Sequence, residues 1–281
     1  MPELPEVEIV SRLLGRAVDG SEVASARVTG ISTLKSFDPP LEALAGRRIA
    51  GMRRRGKHLV VDFDRGLSLL IHLMSAGRFQ LFDKPGSPRD KTSRLLVRLT
   101  DGRELRLREF GTRQSCWAKL LVTGEVEYDP AVATLGPEAW PSPPPFLPLL
   151  SHPRPLNSLL RDQRVIAGVG RSWADEILHR ARLSPFKRGD DLTGEEAELL
   201  REATVEILGE ALKHYERVLS VPIPDKLPLP LHVHRHIGDP CPRCATPIQA
   251  VHFEDHDMCY CPACQTGGKL LKDRRLSRLL K

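Results

Sequence analysis

The four cysteines of CPRC (Cys241, Cys244) and CPAC (Cys261, Cys264) constrain this chain more than any other feature, because two Cys-x-x-Cys knuckles 16 residues apart can present four thiolates to one ion. Each knuckle turns tightly around its proline, and tetrahedral sulfur ligation points to one structural Zn²⁺ per chain. A pair of disulfides needs an oxidising compartment, and a dithiol redox site has no use for the second knuckle. With every coordination position taken by protein, the metal holds a ribbon over residues 231–265 and leaves the chemistry elsewhere. Cys116 and Cys259 read as spare thiols, although Cys259 lies two residues before Cys261 and could compete as a ligand. His232, His234, His236, His252 and His256 are also near, but the alternation in HVHRH reads as one exposed face of a strand.

Proline divides the remainder. Eight of the 24 prolines fall in residues 137–155, where fixed φ and missing N–H groups disfavour helix and central strand, so residues 136–155 read as a linker. A second cluster, Pro222, Pro224, Pro228 and Pro230, closes a long helical pattern. Residues 1–135 are expected to be β-rich behind an N-terminal helix over 6–14, where Val7, Val10, Leu13 and Leu14 recur at helical spacing. Strands are expected over 58–63, 67–74, 95–99 and 105–110, with Asp101-Gly102 turning a hairpin between the last two. The pattern suits a sandwich or flattened barrel. Residues 156–230 read as helical, with helices over 156–162, 172–182 and 194–215, and residues 266–281 form a tail.

Charge says less than its total suggests. Lys and Arg number 42 against 36 Asp and Glu, so 42 − 36 gives +6. Residues 265–281 hold six cations and one acid, 6 − 1 = +5, which leaves 6 − 5 = +1 for the body. The tail, with leucines interleaved, reads as an electrostatic tether, and any preference of the body for a polyanion must come from placement. No apolar run approaches the roughly 18–20 residues of a membrane helix, and the acidic N-terminus is unlike a signal peptide, so a cytoplasmic, membrane-free protein is expected. Two places concentrate cations or glycines. Residues 47–57 carry Arg47, Arg48, Arg53, Arg54, Arg55 and Lys57 without an acid, either a solvated face or a phosphate track. The turn at Gly168, Gly170 and Arg171 precedes a capping signal, Ser172 with Asp175, and is either a tight helix connection or an anion site; beside a zinc ribbon and a basic strip the second reading gains.

The N-terminus offers a nucleophile. Pro2 permits removal of Met1, exposing a secondary amine, and an α-amino group with a pKa near roughly 7.7–8.0 is partly neutral where a lysine is not. Such an amine can attack an aldehyde carbon, with Glu3 and Glu6 within one helical turn as acid or base. The plainer reading is a proline-stiffened, acidic helix start.

PELPEVE, RRGKHLV, IHLMSAG, REFG, LGPEAW, DQRVIAGVGRSWADEIL, CPRC and CPACQ, in this order over residues 2–265, resemble the formamidopyrimidine-DNA glycosylase and endonuclease VIII family. The resemblance implies an α+β chain: an N-terminal β-sandwich with its helix, a helix-two-turn-helix domain, a zinc ribbon, and damaged duplex DNA held between the domains by a monomer. It implies a bifunctional glycosylase and AP lyase of base excision repair. In that reading Pro2 attacks C1′ and forms a Schiff base, Glu3 is the acid, Glu6 supports the site, and Lys57 contacts a phosphate. Cleavage follows by β,δ-elimination. His72, Met74, Arg108, Phe110, Gly170, Arg171 and His256 fall on the DNA-contacting motifs, with Arg108 facing the orphaned base and Phe110 wedging the stack.

Four departures bear on function. The void-filling position of IHLMSAG is either Met74 after a shift or Ser75 in register. Arg171 stands for the family's phosphate-binding Asn, and His256 for its ribbon Arg. The lesion-capping loop of 8-oxoguanine-specific members is replaced by VPIPDKLPLP, which turns the expectation from 8-oxoguanine towards ring-opened bases, pyrimidine lesions, single-stranded or bulky substrates. The altered phosphate positions keep a second function open, a damaged-DNA or AP-site binder that excises nothing.

Overall fold

The computed structural model describes residues 1–281 except 31, 88, 112–113, 254–255 and 272–281, so most of the expected tether lies outside the described residues. It divides into two units, residues 1–134 with 212–228, and residues 135–211 with 229–281.

Alternating apolar residues build the first unit. Helix α1 (Leu4–Val18) precedes eight strands: β1 (Val23–Val28), β2 (Ile49–Arg55), β3 (His58–Phe63), β4 (Leu67–His72), β5 (Gly77–Phe82), β6 (Ser93–Leu99), β7 (Glu104–Glu109) and β8 (Trp117–Val122). They form two antiparallel sheets, β1-β6-β7-β5 and β2-β3-β4-β8. Leu59, Val61, Leu69 and Ile71 of one sheet share a core with Leu95, Val97, Leu105 and Leu107 of the other, closed by Val7, Val10 and Leu14 of α1. Each such buried side chain contributes roughly 1.5–3 kcal/mol relative to exposure. Val60 and Leu70 face the opposite way and are covered by Val126 and Val132, the latter from the short α2 (Pro130–Ala133), which is why HLVVDF and LSLLIH read as unbroken apolar runs. The hairpin at Asp101-Gly102 is present, Arg103 pairing back to Leu99. The strand expected over 67–74 stops at His72, because Met74 adopts a left-handed φ of 49° and Gly77 N–H donates to Leu73 O. A Cβ at Gly77 would lie 2.3 Å from that carbonyl, so the turn into β5 requires glycine.

The second unit is helical with a small sheet. It contains α3 (Phe146–Leu150) within the proline-rich stretch, α4 (Leu156–Arg161), α5 (Arg171–Arg180) and α6 (Gly194–Val218), whose residues from Leu212 on group with the first unit. The ribbon follows, with β9 (Gln249–His252), β10 (Asp257–Tyr260) and α7 (Pro262–Thr266). Two local expectations fail here. HVHRH is not a strand: Val233 and His234 are both buried, their amides bound with that of His232 to the Glu176 carboxylate. Helix α5 is capped by Gly170, not by a Ser172–Asp175 box, because the Asp175 carboxylate turns inward to His234.

Candidate active site and nucleic-acid interface

Helix α1 begins two residues after Pro2, with Glu3 as its N-cap, and its first turn organises the N-terminal carboxylates. Glu3 and Glu6 form a reciprocal capping box, Glu3 accepting from the Glu6 amide and Glu6 Oε2 accepting from the Glu3 amide at 2.8 Å. The other oxygen of Glu6 accepts from the buried Tyr215 hydroxyl at 2.7 Å. Burial and the two carboxylates push the Tyr215 phenol well above its ordinary range, so it is a donor at any physiological pH. Both carboxylates are almost inaccessible, yet Pro2 itself is half-buried. Lys57 is buried at the turn between β2 and β3. That turn is tied to α1 through Arg54, whose guanidinium donates to Glu8 Oε2 at 2.9 Å and to Gly56 O at 2.9 Å. Thus Pro2, Glu3, Glu6 and Lys57 are organised by one helix end and the strand turn joined to it.

The basic strip is largely engaged in contacts within the protein. Arg47 donates to the carbonyls of Ala43, Asp64 and Arg65, Arg48 pairs with Glu22, Arg53 with Asp62 and Glu127, and Arg54 with Glu8. These four arginines have partners within the first unit.

His72, at the end of β4, stacks on Trp117 with ring centroids 5.7 Å apart and meets His58 edge-on at 4.7 Å. Burial, then His58 and Lys57, lowers its pKa to about 3, and its Nδ1 accepts the Met74 amide at 2.9 Å. It is therefore neutral, with its remaining proton on Nε2. Met74 is half-buried in the left-handed turn and Ser75 is exposed beside it. Arg108, on β7, lies over the exposed Phe110 ring, its guanidinium carbon 4.7 Å from the centroid. It also donates to Asp225 Oδ1 at 3.0 Å, Gln80 Oε1 at 3.3 Å and Thr92 Oγ1 at 3.2 Å. Asp225 belongs to VPIPDKLPLP, which is fastened to the sheet: Ile223 is buried in the sandwich core, and Gln80 donates to both Ile223 O and Asp225.

In the second unit, Gly168 at φ 106° and Gly170 bring the chain to the start of α5, with Arg171 first in the helix. Gln163 braces this turn, accepting from Gly168 N–H and donating to Val169 O. His256 stacks on Phe253, and its Nε2 accepts from Arg161 Nη1 at 2.7 Å. Arg161, at the end of α4, was not singled out by the sequence; its only signal there was a helix-terminal cation. The four ribbon sulfurs come together, Cys241 and Cys264 3.9 Å apart, Cys244 and Cys261 3.5 Å, Cys244 and Cys264 3.4 Å. Tetrahedral thiolates about 2.3 Å from Zn²⁺ lie about 3.8 Å from one another, so the donor set fits such an ion. His179 Nε2 sits 3.2 Å from Cys241 Sγ, joining α5 to this cluster.

Residues 1–113 match the formamidopyrimidine-DNA glycosylase N-terminal domain, and residues 148–221 the H2TH domain of the same proteins. The formamidopyrimidine-DNA glycosylases of Latilactobacillus sakei and Pediococcus pentosaceus are 31% and 34% identical, each over 94% of this chain and 98% and 99% of their own. This chain belongs to the formamidopyrimidine-DNA glycosylase family. A Lactococcus lactis family member in complex with DNA containing N7-benzyl-Fapy-dG superposes with a TM-score of 0.84 at 27% identity, covering 94% of this chain and 100% of that one. The Lactococcus lactis enzyme bound to DNA containing an AP site gives 0.81 at the same identity, over 94% and 99%. As in the expected formamidopyrimidine-DNA glycosylase architecture, an α+β chain carries a sandwich, an H2TH domain and a four-cysteine ribbon. No helix among the described residues is long and apolar enough to cross a membrane.

Proposed function

We propose that this family member excises an oxidised or otherwise damaged base from DNA through Pro2 and then cleaves the abasic site. While Met1 is attached, the Pro2 nitrogen is an amide and cannot act; removal of Met1 makes it a secondary amine. The amine attacks C1′, the base departs with a proton, and the sugar opens to an iminium. Loss of the acidified C2′ proton expels the 3′ phosphate, and a second elimination expels the 5′ phosphate. The commitment of Glu6 carries the assignment of roles: it is held by Tyr215 and the Glu3 amide, so Glu3, next to the nucleophile, is the proton donor and Glu6 its support. Lys57 and Arg171 are proposed phosphate contacts, Gly170 allows close backbone approach, and His72 offers an Nε2 donor whose neutrality persists through physiological pH. Arg161 with His256 supplies the cation that His256 alone would lack. Cys241, Cys244, Cys261 and Cys264 would hold one structural Zn²⁺, which supplies a fold and no step.

Incubation of Met-processed protein with AP-site DNA and borohydride is the test. A covalent adduct is expected; processed, folded protein that binds AP-site DNA yet gives no adduct would support the non-excising binder instead.

Anchoring of VPIPDKLPLP to the sheet supports a lesion that needs no cap, an oxidised pyrimidine or a bulky base, over 8-oxoguanine. The same segment restrains the proposed base-reading Arg108 through Asp225. This half-exposed pair is worth at most about 1 kcal/mol, and Asp225→Ala is expected to tighten binding to abasic duplex about fivefold by freeing the guanidinium. Fluorescence anisotropy measures it, and weaker binding would make Asp225 a positioning partner of Arg108 instead of a competitor of DNA.

A further inference from the structure

We infer that Asp175, His234 and Cys259 form a second metal site, separate from the four-cysteine site and suited to a borderline divalent cation such as Zn²⁺. The three come from different parts of the second unit: α5, the start of the ribbon, and β10. Their ligand atoms lie within 4.8 Å of one another, and all three residues are buried, at 2%, 7% and 0% exposure. Carboxylate, imidazole and thiolate together are donors that Zn²⁺ accepts in tetrahedral geometry, at about 2.0–2.3 Å. Ligands at such bond lengths stand roughly 3.2–3.8 Å apart, so His234 Nδ1 and Asp175 Oδ2, now 2.7 Å apart, would part by about half an ångström.

The surroundings are arranged as an outer shell of a metal site is. Asn157 Nδ2 faces Asp175 Oδ1 at 3.4 Å, and the Cys259 amide donates to Oδ2 at 3.0 Å, which fixes the carboxylate. The Arg235 amide donates to Cys259 Sγ at 3.4 Å, which fixes the sulfur. Glu176 holds the three consecutive amides of residues 232–234, so the backbone carrying His234 is preset. Among the described residues, the ion-pair partner of Asp175 is His234. A buried carboxylate without a firm countercharge is costly, and a divalent ion would compensate it. Three protein ligands leave one position for water. Bound there, the ion would clip the start of α5, and with it Arg171, to the ribbon.

Metal content of the native full-length protein, equilibrated with Zn²⁺ and desalted, decides the matter. Wild type is expected to retain about two ions per chain and Cys259→Ser about one, the four-cysteine site remaining loaded. One ion in the wild type overturns the proposal and leaves a hydrogen-bonded Asp–His pair with an idle thiol. Two ions in both proteins overturn it equally, because the second ion would then lie elsewhere. Should Cys259→Ser not fold, Co²⁺ loading of the wild type replaces it. Two equivalents are expected, the second adding a weak charge-transfer band of a single thiolate to the strong four-thiolate spectrum; saturation at one refutes the site.

Discussion

Glu3→Gln is expected to lower base release by about 10²–10⁴-fold, the range of a general acid removed from a transition state, with little change in thermal stability. Glutamine keeps an oxygen that can accept the Glu6 amide, so the capping box at the head of α1 loses little, well under about 1 kcal/mol. What it loses is the proton. Single-turnover excision on a lesion-containing duplex measures the chemical loss, and DNA affinity measured in parallel should stay within a few-fold. Pro2→Gly combined with Glu3→Gln should also abolish borohydride trapping. Glu6→Gln provides the contrast. Glu6 accepts from the Tyr215 hydroxyl on one oxygen and from the Glu3 amide on the other, whereas glutamine has one oxygen, and its amide group would face a donor. That mismatch is buried and should cost about 1–3 kcal/mol of stability. If the two variants lost activity equally at equal stability, the division into acid and support would be wrong.

Legibility followed the type of local signal. Strands β3 and β4 were visible as apolar runs because both of their faces are buried, and the hairpin at Asp101-Gly102 because its turn chemistry is local. Strand β2 was not, since it ends in Arg53, Arg54 and Arg55, and the partners Glu127 of Arg53 and Glu8 of Arg54 lie far along the chain. The charge run looked like a surface track for the same reason: pairing over long separations leaves no trace in composition. Pro2, Glu3 and Glu6 fall within one turn and could be grouped from the sequence. Tyr215 could not, being 209 residues from Glu6 in the chain. Arg161 and Asp225 were missed likewise, and His234 was misassigned because an alternating pattern cannot reveal that Glu176 bends its backbone out of a strand.

Loss of the ribbon metal is expected to unfold the ribbon while leaving the sandwich intact, and to weaken DNA binding by at least about tenfold. The ribbon's apolar residues form two small clusters, one of Val233, Ile248, Cys241, Cys259 and Cys261 and one of Val251, Met258 and Tyr260, too little to fold so short a segment unaided. A structural zinc supplies about 10–16 kcal/mol of apparent binding energy in isolated finger peptides, more than most domains have in total stability. The four thiols are unequal before metal enters. Hydrogen bonds from Thr246 pull the Cys244 thiol down, while burial pushes the Cys261 thiol up. Cys244 therefore gives up its proton more readily than Cys261, whose proton the ion must displace. Metal uptake then releases protons, and retention weakens as the pH falls. Cys261→Ser, or a strong chelator at pH 6 against pH 8, should accordingly strip the metal, faster at the lower pH, and remove the Arg161–His256 pair with the fold that carries it. Metal analysis with DNA binding by anisotropy follows both steps. The sandwich core, with α1 and both sheets, shares none of these ligands, so a first-unit melting transition that moved together with metal loss would refute this separation.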